Sequence, residues 1–177
     1  MEWEERFSKE HPITSKIKDT DVFLHGTSSK KYLAIQSTGF LRRKVPMRNY
    51  GISRKGICFE KYVEHGEYSG VTSLSIEGHC KIACENDQSS EGVILQIKGR
   101  ELKNLGCPIY ADWNVGYPFV KDSEEIPIDV DSNASLLPII IIDRDIPIKY
   151  LIATKRLPFK DLEMANAKKS QNRKQQQ

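Results

Sequence analysis

The residues best suited to chemistry are His25, Gly26 and Thr27, which follow the short apolar run VFL at positions 22–24. That run predicts a buried strand, so the three residues would stand at its end. An imidazole there can exchange a hydrogen bond with a ligand hydroxyl, and the threonine adds a hydroxyl of its own. The glycine lets a ligand approach the backbone, whose N–H and C=O can pair with an amide. The alternative is a half-buried histidine followed by the entry to a helix.

A second group of candidates surrounds the apolar run GICF at positions 56–59, which predicts another strand. Cys58 and Phe59 belong to this run, and Tyr62 and Tyr68 follow it. A tyrosine ring offers apolar area and favours offset stacking on a planar ligand, with packing on the core as the alternative. For Cys58 we expect a buried, inert strand thiol rather than a nucleophile.

Short strands and few helices must position these residues. Apolar runs predict strands at 93–97 and 139–142, followed by a turn and a last strand within 146–152. A helix over 71–84 is only weakly indicated, and residues 100–123 are expected to form a long loop. Clustered strands without regular βαβ alternation predict an α+β fold.

One helix is clear, over residues 30–37. Ser28 or Thr27 is its expected N-terminal cap, and Gly39 is its expected stop. Three apolar side chains are expected to turn from this helix toward the core: Tyr32, Leu33 and Ile35.

The chain has 177 residues, of which 38% are hydrophobic and 29% charged, as in an ordinary globular protein. We expect a polar lead-in over 1–18, one domain over 19–160 and a basic, Gln-rich, disordered tail over 161–177. Residues 165–177 contribute +4 to a net charge of +3, which leaves −1 for the rest. The folded part is therefore not a strongly basic nucleic-acid platform.

Neither a membrane span nor a signal peptide is indicated. No apolar run approaches the ~18 residues that a spanning helix needs, and the charged N-terminus lacks an apolar stretch. We therefore expect a cytoplasmic location, or delivery into a host cytosol, without membrane contact. The four cysteines are expected to be reduced thiols.

Two further clusters of residues could bind a ligand, but each also has an ordinary structural interpretation. His79, Cys80 and Cys84 can line one helical face, but no second ligand pair has zinc-site spacing, so we expect no metal site. Arg42, Arg43, Lys44 and Arg48 form a basic loop that can contact phosphates or simply be solvated.

Taken in order, these motifs resemble those of the ADP-ribosyltransferase superfamily, in particular the branch of diphtheria toxin and the poly(ADP-ribose) polymerases. The resemblance covers about residues 20–155. It is carried by the runs FLHGTSSKKYLAIQSTGFL, RKGICFEKYVEHGEYSG, EGVILQIKGREL and DIPIKYLIA. It implies a split, mixed or antiparallel β-sheet core with few helices, and a cleft that binds NAD as a substrate.

The resemblance also implies roles for single residues. His25 would bind a ribose hydroxyl of NAD, Gly26 the nicotinamide amide, and Thr27 would add a hydroxyl. Tyr68 would cover the nicotinamide ring, with Tyr62 as the other stacking candidate. The strand residues Cys58 and Phe59 would form a wall of the cleft, although Cys58 replaces a tyrosine of the family and cannot stack as a phenol ring does.

A glutamate at the start of a late strand is implied as well, where it would stabilise an oxocarbenium-like transition state. In one register, Glu124 or Glu125 precedes a strand at 126–130 and supplies this acid. In the other, the strand is 139–142 and the corresponding position is a leucine, which supplies none. Solvated loop charges are the alternative for both glutamates.

Three functions follow as expectations from the resemblance. The first is an enzyme of the glycosyltransferase class, a mono-ADP-ribosyltransferase that moves ADP-ribose from NAD to a protein or nucleic acid. The second is a catalytically silent module that binds NAD, ADP-ribose or a protein. The third is an RNA 2′-phosphotransferase-like enzyme, which is disfavoured because no second basic domain is evident.

Overall fold

The structure, a computed structural model, describes residues 12, 14–43, 56–62, 76–111 and 139–176. Eight strands lie in these residues: β1 Val22–Ser28, β2 Phe40–Leu41, β3 Ile57–Lys61, β4 Glu91–Lys98, β5 Ile109–Ala111, β6 Ile139–Ile142, β7 Ile146–Pro147 and β8 Ile152–Pro158. Four α-helices lie there too: α1 Ser29–Thr38, α2 Ile76–Asp87, α3 Gly99–Asn104 and α4 Lys160–Gln175. Short 3-10 turns occupy Thr14–Lys16 and Ile148–Tyr150.

Six of the strands form one sheet in the order β5-β6-β3-β1-β4-β8, and β2 pairs with β7 separately. Every pairing among the described strands is antiparallel. The predicted α+β class with an antiparallel sheet is therefore confirmed.

One face of the sheet carries the apolar core. Alternation along each strand brings Phe23, Phe59, Leu95 and Ile140 to this face, and all four are at most 2% exposed. The register supports this, since Phe23 lies opposite Ile97 and the Cα atoms of Phe59 and Ile140 are partners. The predicted strands around 57–59, 93–97 and 139–142 are confirmed.

Helix α1 has the predicted ends. The Ser28 side chain accepts a hydrogen bond from the Lys31 N–H at 3.1 Å, and Gly39 closes the helix with φ of 80°. Ile35 is buried, but Leu33 is 65% exposed, so its predicted core position is wrong. Tyr32 and Ile35 share a helical face, whereas Leu33 lies on the polar face.

Two predicted irregular segments contain regular structure. The prediction of a loop over 100–123 is wrong for its first residues, because α3 and β5 lie there. Leu102 and Leu105, 0% and 3% exposed, anchor that segment in the core through tertiary contacts that periodicity does not show.

The tail expected to be disordered instead forms α4, which has no buried residue. Its alanine, lysine, glutamine and arginine residues have high helix propensity, which outweighs the low hydropathy that predicted disorder. No helix in the described ranges is long and apolar enough to cross a membrane.

Candidate functional site

His25, Gly26 and Thr27 lie inside β1 rather than after it, which corrects the predicted strand end. Strand β4 pairs with β1 along its whole length, from Val22–Lys98 to Ser28–Gly92. This long ladder holds the three residues in extended conformation, although their own side chains gave no apolar signal.

On its other edge, β1 pairs with β3 for only a short distance. The ladder contains Phe23–Lys61 and Leu24–Glu60, and the Tyr62 N–H donates to the Val22 carbonyl at 2.8 Å. In the same register, Gly26 would lie opposite Cys58. The Cys58 carbonyl instead accepts a hydrogen bond from the His25 side chain, 2.8 Å from Nδ1. The sheet therefore opens between β1 and β3 beside His25.

This hydrogen bond fixes both the proton and the orientation of the imidazole. A carbonyl oxygen can only accept, so Nδ1 of His25 carries the proton, and the lone pair of the neutral ring is on Nε2. The ring centroid lies 5.4 Å from that of Phe59, with 46° between the planes. His25 is half-buried, and in this tautomer Nε2 is the ring nitrogen that can accept a hydrogen bond.

The main chain of Gly26 faces the same opening. The Gly99 N–H donates to the Asp21 carbonyl at 2.7 Å on the β4 side, while the Val22 carbonyl accepts on the β3 side. Main-chain groups alternate in direction along an antiparallel strand. The N–H and C=O of Gly26 are therefore directed toward β3, where the ladder has ended.

Helix α2 supplies a second, structural reason for the glycine. A Cβ atom on Gly26 would lie 2.8 Å from the carbonyl oxygen of Ile76 and 2.9 Å from Sγ of Cys80. The glycine thus lets α2 pack against the face of β1, and a ligand reaches Gly26 only along its in-plane edge. Thr27, at 2% exposure, lies in the core.

The other candidates occupy the two faces of β3. Cys58 is exposed, so the prediction of a buried thiol is wrong. Alternation places it on the face opposite to Ile57 and Phe59, which are in the core. Tyr62 directly follows β3 and is 52% exposed. Thus Cys58 and Phe59 flank the opening from opposite faces.

The remaining predicted site residues lie outside the described residues. They are Tyr68, Glu124 and Glu125, together with Lys44 and Arg48 of the basic loop.

Glu60 is a further candidate for the site, which the sequence alone did not single out. It lies two positions after Cys58, on the same face of β3, and pairs with Leu24 in the last rung before the opening. Its Oε2 atom is buried and has no hydrogen-bond partner among the described residues. Burial raises the pKa of this carboxyl. Alternation along GICFE could have placed Glu60 beside Cys58, but its burial depends on tertiary packing.

The residues weighed as a metal cluster belong to the packing of α2. Cys80 and Cys84 are fully buried, and burial raises the pKa of each thiol to about 11, so both stay protonated at neutral pH. Burial lowers the pKa of His79. Within the described ranges, no three potential metal ligands are grouped to hold an ion.

The basic loop begins with two arginines that are already paired. Arg42 and Arg43 each contact a carboxylate at 3.0 Å, on Asp145 and Asp143 respectively. The Arg43 N–H also donates to Asp145 at 2.8 Å, and this bond is the main reason that the pKa of Asp145 is lowered. These pairs favour a structural role for both arginines over phosphate binding.

The described candidate site therefore consists of an opened strand pair with an oriented imidazole, an in-plane glycine edge and a partly buried carboxyl. No protein-family model, curated protein or solved structure matches this chain.

Proposed function

We propose that this chain is an NAD-dependent mono-ADP-ribosyltransferase with its nicotinamide pocket at the opening between β1 and β3. The observation that carries the proposal is the hydrogen bond from His25 Nδ1 to the Cys58 carbonyl, which ends the ladder and orients Nε2 as an acceptor. An opened strand pair exposes in-plane main-chain donors and acceptors, which an amide ligand requires.

The groups at the opening complement the nicotinamide half of NAD. The N–H and C=O of Gly26 can pair with the carbonyl and N–H2 of the carboxamide, as a neighbouring strand would. His25 Nε2 accepts from a ribose hydroxyl of NAD. Tyr62 lies beside Val22, at the other end of the β1–β3 ladder, so it is not one of the groups at the opening.

The transfer breaks one bond and forms one. The bond between ribose C1 and the nicotinamide ring nitrogen breaks, and nicotinamide leaves with the electron pair as a neutral molecule. The acceptor nucleophile then forms a bond to C1 and loses its proton to water or to a basic group. Positive charge develops on the ribose as the bond breaks, and a carboxylate of Glu124 or Glu125 would stabilise it.

A silent NAD- or ADP-ribose-binding module is the second candidate, and Cys58 favours it. This exposed thiol stands where the resembling family has an aromatic ring, so one stacking surface for nicotinamide is missing. Such a module would keep the contacts of His25 and Gly26 but not hold nicotinamide well enough for its departure.

Two measurements on the full chain separate these candidates. Isothermal titration with NAD tests binding, and release of labelled nicotinamide tests turnover. We expect His25→Ala to weaken NAD binding by about tenfold, because the variant loses the free energy that one hydrogen bond contributes to binding. Ser37→Ala, an exposed change on α1, serves as its control.

Glu124→Ala/Glu125→Ala should lose turnover while still binding NAD, with Glu85→Ala on the exposed side of α2 as the control. Binding without turnover in the wild type would establish the silent module. Absence of binding to both NAD and ADP-ribose in the wild type would refute both candidates. Incubation of the wild type with labelled NAD and a cell lysate would then show whether the label is transferred to protein or to nucleic acid.

A further inference from the structure

We infer that Glu60 determines the specificity of the nicotinamide pocket, by accepting a hydrogen bond from the carboxamide N–H2 and rejecting the carboxylate of nicotinic acid. This inference rests on the proposed function, because it assumes that nicotinamide lies in the opening between β1 and β3. Glu60 is an acid separate from Glu124 and Glu125, and it stands on a strand that borders the opening.

The position of Glu60 fits a contact with a ligand held by Gly26. It occupies the last rung of the β1–β3 ladder, opposite Leu24, and the next residues of β1 are His25 and Gly26. Gly26 lies opposite Cys58 in the register of the ladder, and residues two apart on one face of a strand are about 7 Å apart. The extended Glu60 side chain and one hydrogen bond span about that distance, so Glu60 can reach an amide held by Gly26.

One oxygen of the Glu60 carboxyl, Oε2, accepts no hydrogen bond from the residues that the structure describes. Its Cα partners on the two neighbouring strands are Leu24 and Ile139, and neither residue type has a side-chain donor. The adjacent cation, Lys61, has its Nζ 3.8 Å from Asp21 Oδ1. Within the described part of the chain, Oε2 of Glu60 is buried without a hydrogen bond.

A buried polar atom without a partner costs free energy, and few such atoms persist in folded proteins without a reason. The N–H2 of a carboxamide supplies the missing donor. Nicotinic acid has no proton to offer at that position and places a second negative charge beside the carboxylate. The same carboxyl therefore favours the amide and disfavours the acid.

The test is isothermal titration of the full chain with nicotinamide and with nicotinic acid. We expect the wild type to bind nicotinamide at least about tenfold more tightly than nicotinic acid. Glu60→Ala should weaken the binding of nicotinamide by about tenfold, because the hydrogen-bond acceptor is lost. Glu60→Gln keeps an acceptor oxygen and adds a donor. It should therefore bind nicotinamide as tightly as the wild type does and bind nicotinic acid more tightly.

Glu85→Gln, an exposed change on α2, is the matched control and should leave both affinities as in the wild type. Thermal unfolding of Glu60→Gln confirms that the variant is folded, and this variant alone decides the inference if Glu60→Ala does not fold. Unchanged discrimination in Glu60→Gln, with nicotinamide still bound, would overturn the role of Glu60 and leave the proposed function standing. Failure of the wild type to bind either nicotinamide or NAD would overturn both.

Discussion

The imidazole of His25 donates to the carbonyl of Cys58 just beyond the last rung of the β1–β3 ladder, and this contact orients the ring. The sequence predicted that His25 would have a role at the site, because its type and its position after an apolar run are both visible. It could not predict the contact, because the partner is a carbonyl 33 residues away.

Gly26 gives a prediction about stability. A methyl group at this position would lie 2.8 Å from the Ile76 carbonyl oxygen, so Gly26→Ala must push α2 away from β1. We expect a loss of about 1–3 kcal/mol in the free energy of unfolding, typical of overpacking, as measured by denaturant titration. Adding Cys80→Ala should relieve part of this clash, since it removes the Sγ atom that would lie 2.9 Å from the new methyl group. A Gly26→Ala variant as stable as the wild type would contradict the packing of α2.

Glu60 gives a prediction about pH. Its folded-state pKa is raised by burial, so this group favours folding most when protonated, and that contribution is lost as pH rises through the folded pKa. Glu60→Gln removes the buried charge and should stabilise the unliganded protein at pH 7.5 by about 1 kcal/mol. The gain should disappear near pH 4, where the wild-type carboxyl is protonated. Thermal unfolding across this range checks it, and a destabilised variant at pH 7.5 would instead indicate a structural partner for Glu60.

At the scale of elements, Ser28 connects α1 to the end of α2. Its hydroxyl caps α1 by accepting from the Lys31 N–H, and it donates to a carboxylate oxygen of Asp87. The pKa of Asp87 is lowered despite partial burial, because the hydroxyl of Ser28 and the main-chain N–H of Ser89 donate to its carboxylate. The junction of the two helices thus depends on one buried hydroxyl.

We expect Ser28→Ala to cost about 1–2 kcal/mol of unfolding free energy, through the lost cap and the lost bond to Asp87. Ser37→Ala changes an exposed serine in the same helix and should cost less than about 0.5 kcal/mol. Chemical denaturation of the two variants measures the difference. Equal stabilities would mean that the hydroxyl of Ser28 contributes nothing to the junction.

Helix α4 should contribute little to the stability of the rest of the chain. None of its residues is buried, and it contacts the body through Lys81–Asp161 and through Asn166 Nδ2 to the Gln88 carbonyl. Deleting residues 167–177 keeps both contacts and should change the unfolding free energy by less than about 0.5 kcal/mol. A drop of several degrees in Tm on deletion would show that the distal half of α4 packs on the protein.

Across the whole molecule, patterns that depend on near neighbours were predicted and those that depend on tertiary contacts were not. Apolar runs predicted β3, β4 and β6, and the residues suited to capping predicted both ends of α1. The exposure of Cys58, the burial of Glu60 and the pairing of Arg42 and Arg43 with distant aspartates depend on which strands and loops meet. None of these three features can be recognised from the spacing of neighbouring residues in a single sequence.

Amide-resolved NMR tests directly whether nicotinamide lies in the opening between β1 and β3. In titrations of the ¹⁵N-labelled chain with nicotinamide, we predict that the amide signals of Gly26 and Cys58 shift in proportion to saturation, while those of α4 do not. Glu60→Gln should preserve these shifts, because its acceptor is retained. Shifts confined to other strands, or no shifts at saturating nicotinamide, would contradict this position of the ligand.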